Sequence, residues 1–180
     1  MRVKHDLLAG EWAVLALLCE TPRHGYAIAA LMAPDGEIGR VWSLRRPMTY
    51  RTISALEKME LIAVDAVEPG TTAPNRRILR ATGEAQERVE AWLREPVDHV
   101  RDMRSLLLLK VHLLQRRQAS TEALLRAQRA VLEKQARSLA AQRREGDDLG
   151  RMLAEWRWSM TDAALRFVDA MLPASAVPRH

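Results

Sequence analysis

The stretch VWSLRRPMTYRTISALEKMELI, residues 41–62, decides how the rest of the chain is read. Residues 40–54 hold four arginines (Arg40, Arg45, Arg46 and Arg51) and no acid. Pro47 fits only the first turn of a helix, where its missing N–H costs nothing. Ser43 is the N-cap that this spacing predicts. On a helical wheel, Thr49, Thr52, Ile53, Leu56 and Met59 share one side and form a core stripe. Tyr50, Arg51, Ser54 and Lys58 fall within an arc of about 100° on the other side. That second set is an exposed row of hydrogen-bond donors and positive charge. A solvated face is the default for such a row, and the flanking sequence moves the reading away from it.

Downstream, LIAVDAV (61–67) is rich in β-formers, residues 69–75 make a turn-rich loop, and RRILR (76–80) returns as a basic strand. Upstream, Asp6 is placed to cap a helix over 7–20 whose run WAVLALLC is apolar all round, hence buried on most sides. Thr21-Pro22 breaks it. A second helix follows over 24–32, with Tyr26, Ile28, Leu31 and Met32 as apolar contacts. His24 reads as an exposed or capping histidine ahead of a phosphate contact. Pro34-Asp35-Gly36 is a turn. Three helices followed by a hairpin is the order of a winged helix-turn-helix, in which the third helix enters the DNA major groove. Thr82 then caps a helix over 83–94, and Glu95-Pro96 ends the first domain, 1–95.

Residues 96–180 read as an all-helical dimerisation domain, so the fold class is mainly α. A helix over 98–117 contains SLLLLKVHLL, apolar on most sides, with His112 packed inside it. Ser120 caps a helix to about residue 144. Its stripe (Leu124, Leu125, Val131, Leu132 and Leu139) is narrow, which suits a long exposed helix or a coiled-coil arm. Gly146-Asp147-Asp148 stops and restarts the chain. The last helix, 148–172, places Leu149, Met152, Leu153, Trp156, Met160, Ala163, Phe167 and Met171 on one stripe. A stripe of that length on an end helix predicts a second subunit. The tail, 173–180, is expected to fray.

The totals exclude several classes. The net charge is +5 and the pI about 10.0, which suits an anionic partner. The excess lies in residues 96–180, with 15 Lys+Arg against 10 Asp+Glu, while residues 1–95 balance at 13 each. The basic cluster of residues 40–54 is therefore local, not compositional. One cysteine, Cys19, rules out an internal disulfide framework and reads as a buried thiol. No secretory segment and no membrane span are evident, so a cytoplasmic protein is expected. The five histidines are scattered without metal spacing, and no phosphate loop or nucleophile elbow occurs, so neither an enzyme nor a cofactor is expected. A winged helix that docks protein instead of DNA is the rival class. The acid-free basic run argues against it.

The first half resembles the PadR family of transcriptional regulators. The residues that carry the resemblance are EWAVLALLCETPRHGYAIAALM (11–32), VWSLRRPMTYRTISALEKMELI (41–62) and RATGEAQERVEAWL (80–93). Within them, Pro22-Arg23-His24-Gly25-Tyr26 matches a family turn, and Tyr50, Arg51, Ile53, Leu56, Leu61 and Ile62 match the recognition helix. The helical second half is similar to the longer-tailed branch with a virulence-activator-type C-terminal domain.

The resemblance implies a homodimer on a palindromic double-stranded DNA operator, acting as a repressor released by a small aromatic effector. It implies Tyr50 and Arg51 at phosphates or base edges, with Ser54 and Lys58 on the same face. Arg45 and Arg46 would stand at the helix entrance, and Arg76 and Arg77 on the wing against the backbone. Met152, Trp156 and Met160 are the candidate effector contacts, against a plainer reading of Trp156 as interface packing with Trp158 at its edge. Glu60 stands where the family has glycine, which predicts a differently built turn.

Overall fold

The computed structural model describes residues 7–69, 76–143 and 147–172. Helix α1 (Ala9–Glu20) runs through the first core, with Ala13 to Leu18 buried. It starts two residues later than the sequence predicts. Glu11 accepts the Leu8 N–H at 2.8 Å, and Asp6, the expected cap, lies outside the described residues. Arg23–His24 is a short strand, β1, and α2 (Gly25–Met32) begins after it. The sequence pattern predicts a helix that already includes His24, and the structure starts it one residue later. Two residues are too few to show alternation, and β1 exists only because β3 lies beside it. It pairs antiparallel with β3, Arg23 opposite Leu79 and His24 opposite Ile78.

Residues 33–44 fold back on α2. The N–H groups of Ile38 and Gly39 bond the Leu31 carbonyl at 3.0 and 3.1 Å, and Ile38 is fully buried. Gly39 is required there, because a Cβ would stand 1.6 Å from the Ala33 carbonyl oxygen. Helix α3 (Arg46–Lys58) has Pro47 in its first turn, as expected. Its N-cap is Arg45, not Ser43. The Leu44 N–H is tied to the Met32 carbonyl at 2.8 Å, so the chain stays extended until it has cleared α2.

Strands β2 (Ile62–Glu68) and β3 (Arg76–Ala81) form the hairpin, with a register shift at Val64/Ala66. The sheet order is β1-β3-β2. The loop expected over 69–75 lies almost wholly outside the described residues. At the exit of α3, Glu60 has φ 58°, the left-handed conformation that glycine favours. The turn is thus built in the glycine geometry with a glutamate in it, contrary to expectation, at a cost of roughly 1 kcal/mol. Thr82 caps α4 (Gly83–Arg94) as predicted, accepting the Ala85 N–H at 3.4 Å and donating to the Leu61 carbonyl at 3.1 Å.

The helix expected over 98–117 consists of α5 (Val100–Asp102), a π-helical segment (Met103–Leu107) and α6 (Leu108–Arg116). Its run is apolar on most sides because it serves two cores. Leu109 and Leu113 pack in the first, with α1 and α4. Met103 and Leu107 pack in the second, with α7 (Glu122–Gln142) and α8 (Asp148–Met171). Each buried leucine contributes about 1.5–3 kcal/mol.

The linker between the cores is fastened by buried polar groups. Lys110, 3 % exposed, donates to the Glu95 carbonyl at 2.6 Å and lies 4.9 Å from the centre of the Trp92 ring. Trp92 in turn stacks on Trp12 at 4.8 Å. Burial pulls the Lys110 ammonium down from its ordinary 10.5 to about 8. The Gln128 amide is fully buried. It accepts the Val97 N–H at 2.7 Å and donates to the Val97 carbonyl at 2.9 Å.

Helices α7 and α8 form an antiparallel pair, tied by Arg129–Asp169 (2.6 Å) and by Arg143–Glu155. Leu124, Leu125 and Leu132 are buried within the chain, so of the two expected readings α7 is not the long exposed helix but one member of a helix pair. Asp147 caps α8 through the Gly150 N–H at 2.8 Å. Gly146, part of the expected stop signal, and the tail 173–180 fall outside the described residues. α8 has two apolar sides. Small residues and Val168 face inward, namely Ala154, Thr161 and Ala164. The large residues of the predicted stripe face outward, with Met152 63 % and Trp156 65 % exposed.

Candidate nucleic-acid interface

α3 divides as its wheel predicts. Thr49, Thr52, Ile53 and Leu56 are buried against the core, and Arg45, Arg46, Tyr50, Arg51, Ser54 and Lys58 are exposed. Among the described residues, Arg45, Arg46, Arg51 and Lys58 meet no carboxylate. Arg45 and Arg46 stand at the N-terminal end of α3, where unpaired N–H groups already favour an anion. The face therefore presents uncompensated positive charge along its length, with the Tyr50 and Ser54 hydroxyls between.

The hairpin stands beside this face, and its two leading arginines do different things. Side chains alternate along a strand. Arg77 forms an ion pair with Glu57 of α3, which fixes the wing against the helix. Arg76 has no carboxylate partner among the described residues, and its guanidinium carbon lies 5.9 Å from the centre of the Tyr26 ring. A cleft of about 310 Å³ runs between helix and wing, lined by Tyr26, Tyr50, Ser54, Glu57, Arg76 and Arg77 among others. Tyr50 closes tightly over the start of α2. A Cβ on Gly25 would stand 3.0 Å from its ring, so only glycine fits without displacing it.

Three residues have roles that sequence reading missed. Tyr26 was expected to be an apolar core contact and is 50 % exposed at the cleft edge. His24 is half-buried and is the N-cap residue of α2, as one of its expected readings has it, but its side chain makes no capping hydrogen bond. Its ring stacks on Tyr26 at 5.2 Å, and its Nε2 lies 3.2 Å from the Glu68 carboxylate at the end of β2. Glu57 was also missed. Its interruption of the exposed row by an acid was the available signal for a partner on the wing.

The expected effector residues do not all meet. Trp156 and Met160 line an open cavity of about 630 Å³ with His99, Arg101, Gln135 and Leu139, between α5 and the α7–α8 pair. Met152 lies outside that lining. Trp158 points elsewhere, beneath the Arg143 guanidinium at 4.3 Å. His112 is half-buried on α6, 3.8 Å from Glu37. Among the described residues no cluster of His, Cys, Asp and Glu could hold a metal ion, and no helix is long and apolar enough to cross a membrane.

The first half is a winged helix-turn-helix. The order α1-β1-α2-α3-β2-β3, with the hairpin beside the exposed face of α3, decides it. No family model matches the chain, and no curated protein matches it by sequence. Among solved structures it is similar to Bacillus subtilis PadR in complex with operator DNA. That likeness has 17 % identity and a TM-score of 0.44, and covers 89 % of this chain and 96 % of the other. It is also similar to smu.1604c from Streptococcus mutans UA159, with 14 % identity and a TM-score of 0.45, covering 91 % of this chain and 98 % of the other.

Proposed function

We propose that this protein is a PadR-type transcriptional regulator that binds double-stranded DNA through α3 and the wing. The observation that carries this reading is the exposed set Arg45, Arg46, Arg51 and Lys58, which meets no carboxylate among the described residues, on a fold whose third helix enters the major groove. Tyr50, Arg51, Ser54 and Lys58 read base edges or phosphates, Arg45 and Arg46 hold the backbone at the helix entrance, and Arg76 reaches it from the wing. Arg77 serves the interface indirectly, by holding the wing to Glu57.

The reading extends to a homodimer on a palindromic operator. The outward row on α8 (Leu149, Met152, Leu153, Trp156, Phe167 and Met171) supplies an apolar face that a second copy would cover. In this reading the protein represses, and a small aromatic molecule in the cavity lined by Trp156 and Met160 releases it. Selection of bound fragments from genomic DNA tests the core of the proposal. Enrichment of an inverted repeat with half-sites about one helical turn apart is the expected result. Recovery of no enriched sequence, with a protein partner captured through α3 instead, would replace it with the docking-module reading. Quenching of tryptophan fluorescence by phenolic compounds, lost on Trp156→Phe, tests the effector site.

A further inference from the structure

The wing carries three cations on β3, and they are not equivalent. Arg77 is paired with Glu57, and Arg80 with Asp65 at 3.3 Å. Arg76 is the one β3 cation without a carboxylate partner among the described residues. This is unexpected on the register alone, because Glu68 lies directly opposite Arg76 across the hairpin. Opposite charges at facing positions normally pair. Here Glu68 turns to His24 Nε2, and Arg76 lies over Tyr26. His24 and Tyr26 are stacked on each other at an interplanar angle of 15°. Tyr26 also lines the cleft formed by α2 with Leu44, Arg45 and Arg46. It thus stands between the wing cation and the cations at the start of α3.

We propose that Tyr26 is a positioning residue of the DNA interface: its ring holds the Arg76 guanidinium toward the phosphate backbone, while His24 occupies the Glu68 carboxylate that would otherwise neutralise Arg76. The proposal rests on the DNA-binding reading given above. It assigns the start of α2 a task in DNA binding that neither the exposed row of α3 nor the basic strand specifies.

The test uses the full chain and a labelled mixed-sequence duplex titrated over a range of salt. Arg76→Ala is expected to lower the slope of log affinity against log salt by about one. Tyr26→Leu is expected to weaken binding about two- to fivefold, the worth of an exposed cation–π contact. Tyr26→Phe keeps the ring and binds as the parent does. In the Arg76→Ala background, Tyr26→Leu has no further effect. His24→Ala also weakens binding, and Glu68→Gln restores that variant by more than it changes the parent. This second pair decides the matter should Tyr26→Leu fail to fold. Equal losses from Tyr26→Leu with and without Arg76 overturn the proposal, as does a Tyr26→Phe variant as weak as Tyr26→Leu. A triple Arg45→Ala, Arg46→Ala, Arg51→Ala variant separates the two levels. If it binds like the parent, the DNA-binding reading itself fails. If it loses binding while the Tyr26 and Arg76 losses simply add, only the positioning role fails.

Discussion

Arginine is used in opposite ways at the two ends of the first core. On α3, Arg45, Arg46 and Arg51 stand exposed with no carboxylate in reach among the described residues. Where α6 meets α1, every arginine is engaged. Arg116 grips Glu20 with Nε and Nη2, at 3.0 and 2.9 Å, and also pairs with Glu37. Arg117 pairs with Glu90 at 2.8 Å and donates to the Ala16 carbonyl at 3.1 Å. Arg23 reaches Glu20 at 3.0 Å and the Leu17 carbonyl at 3.3 Å. The difference lies in the acids that the fold brings near. Paired and half-buried, an arginine fastens elements together. Unpaired and exposed, it is free to take a phosphate and release counterions.

That contrast makes sharp demands. Replacing Arg45, Arg46 and Arg51 together with Ala should reduce DNA affinity by about a hundredfold or more, and lower the salt slope by about three. Melting of the protein should hardly change, since exposed unpaired charges contribute little to stability. A large drop in melting temperature would show that these arginines are structural after all.

Arg116→Ala should do the reverse, costing about 2 kcal/mol in denaturant unfolding, because the largely buried Glu20 loses its bidentate partner and keeps only Arg23. Its pH dependence is also defined. The hydrogen bond from Arg116 is the main reason that Glu37 is held below its ordinary value. Stability from this contact is present above the ordinary carboxylate range and lost as pH falls through the lowered value. Arg116→Ala should flatten that acid limb.

Lys110 is a third way to keep a cation, buried against a carbonyl and an indole ring instead of a carboxylate. Its value falls from 10.5 to about 8, so the folded state binds fewer protons than the unfolded one between those limits. Stability should therefore rise with pH across that window, by on the order of 2 kcal/mol. Lys110→Met should abolish the rise, and a persistent rise would place its origin elsewhere. The smallest effect belongs to the exit of α3. Glu60→Gly relieves the left-handed φ and should stabilise the protein by up to about 1 kcal/mol, offset in part by the unfolded-state entropy of glycine. A loss of stability would mean that the Glu60 side chain contributes more than its backbone costs.

Much of this was readable from short-range pattern. The two sides of α3, the Thr82 cap, the hairpin and the helical second half follow from the 3.6-residue period, capping residues and turn chemistry, all set by neighbours in sequence. The exposed cations of α3 were legible for the same reason, since Arg51 and Lys58 fall opposite Ile53 and Leu56 on any helix.

Partner choice was not legible. Arg77 and Arg76 are adjacent and alike in sequence, yet one meets Glu57 twenty positions away and the other lies over Tyr26. Glu20 and Arg116 are 96 residues apart, and nothing local marks them as a pair. Strand β1 exists only through β3. The two apolar sides of α8 were read as one stripe because Ala154, Thr161 and Ala164 are too small to register as a core face until α7 packs on them. Periodicity tells which side of an element is apolar. Which distant group meets each polar or small side chain is set by the packing of whole elements, and only the tertiary structure decides that.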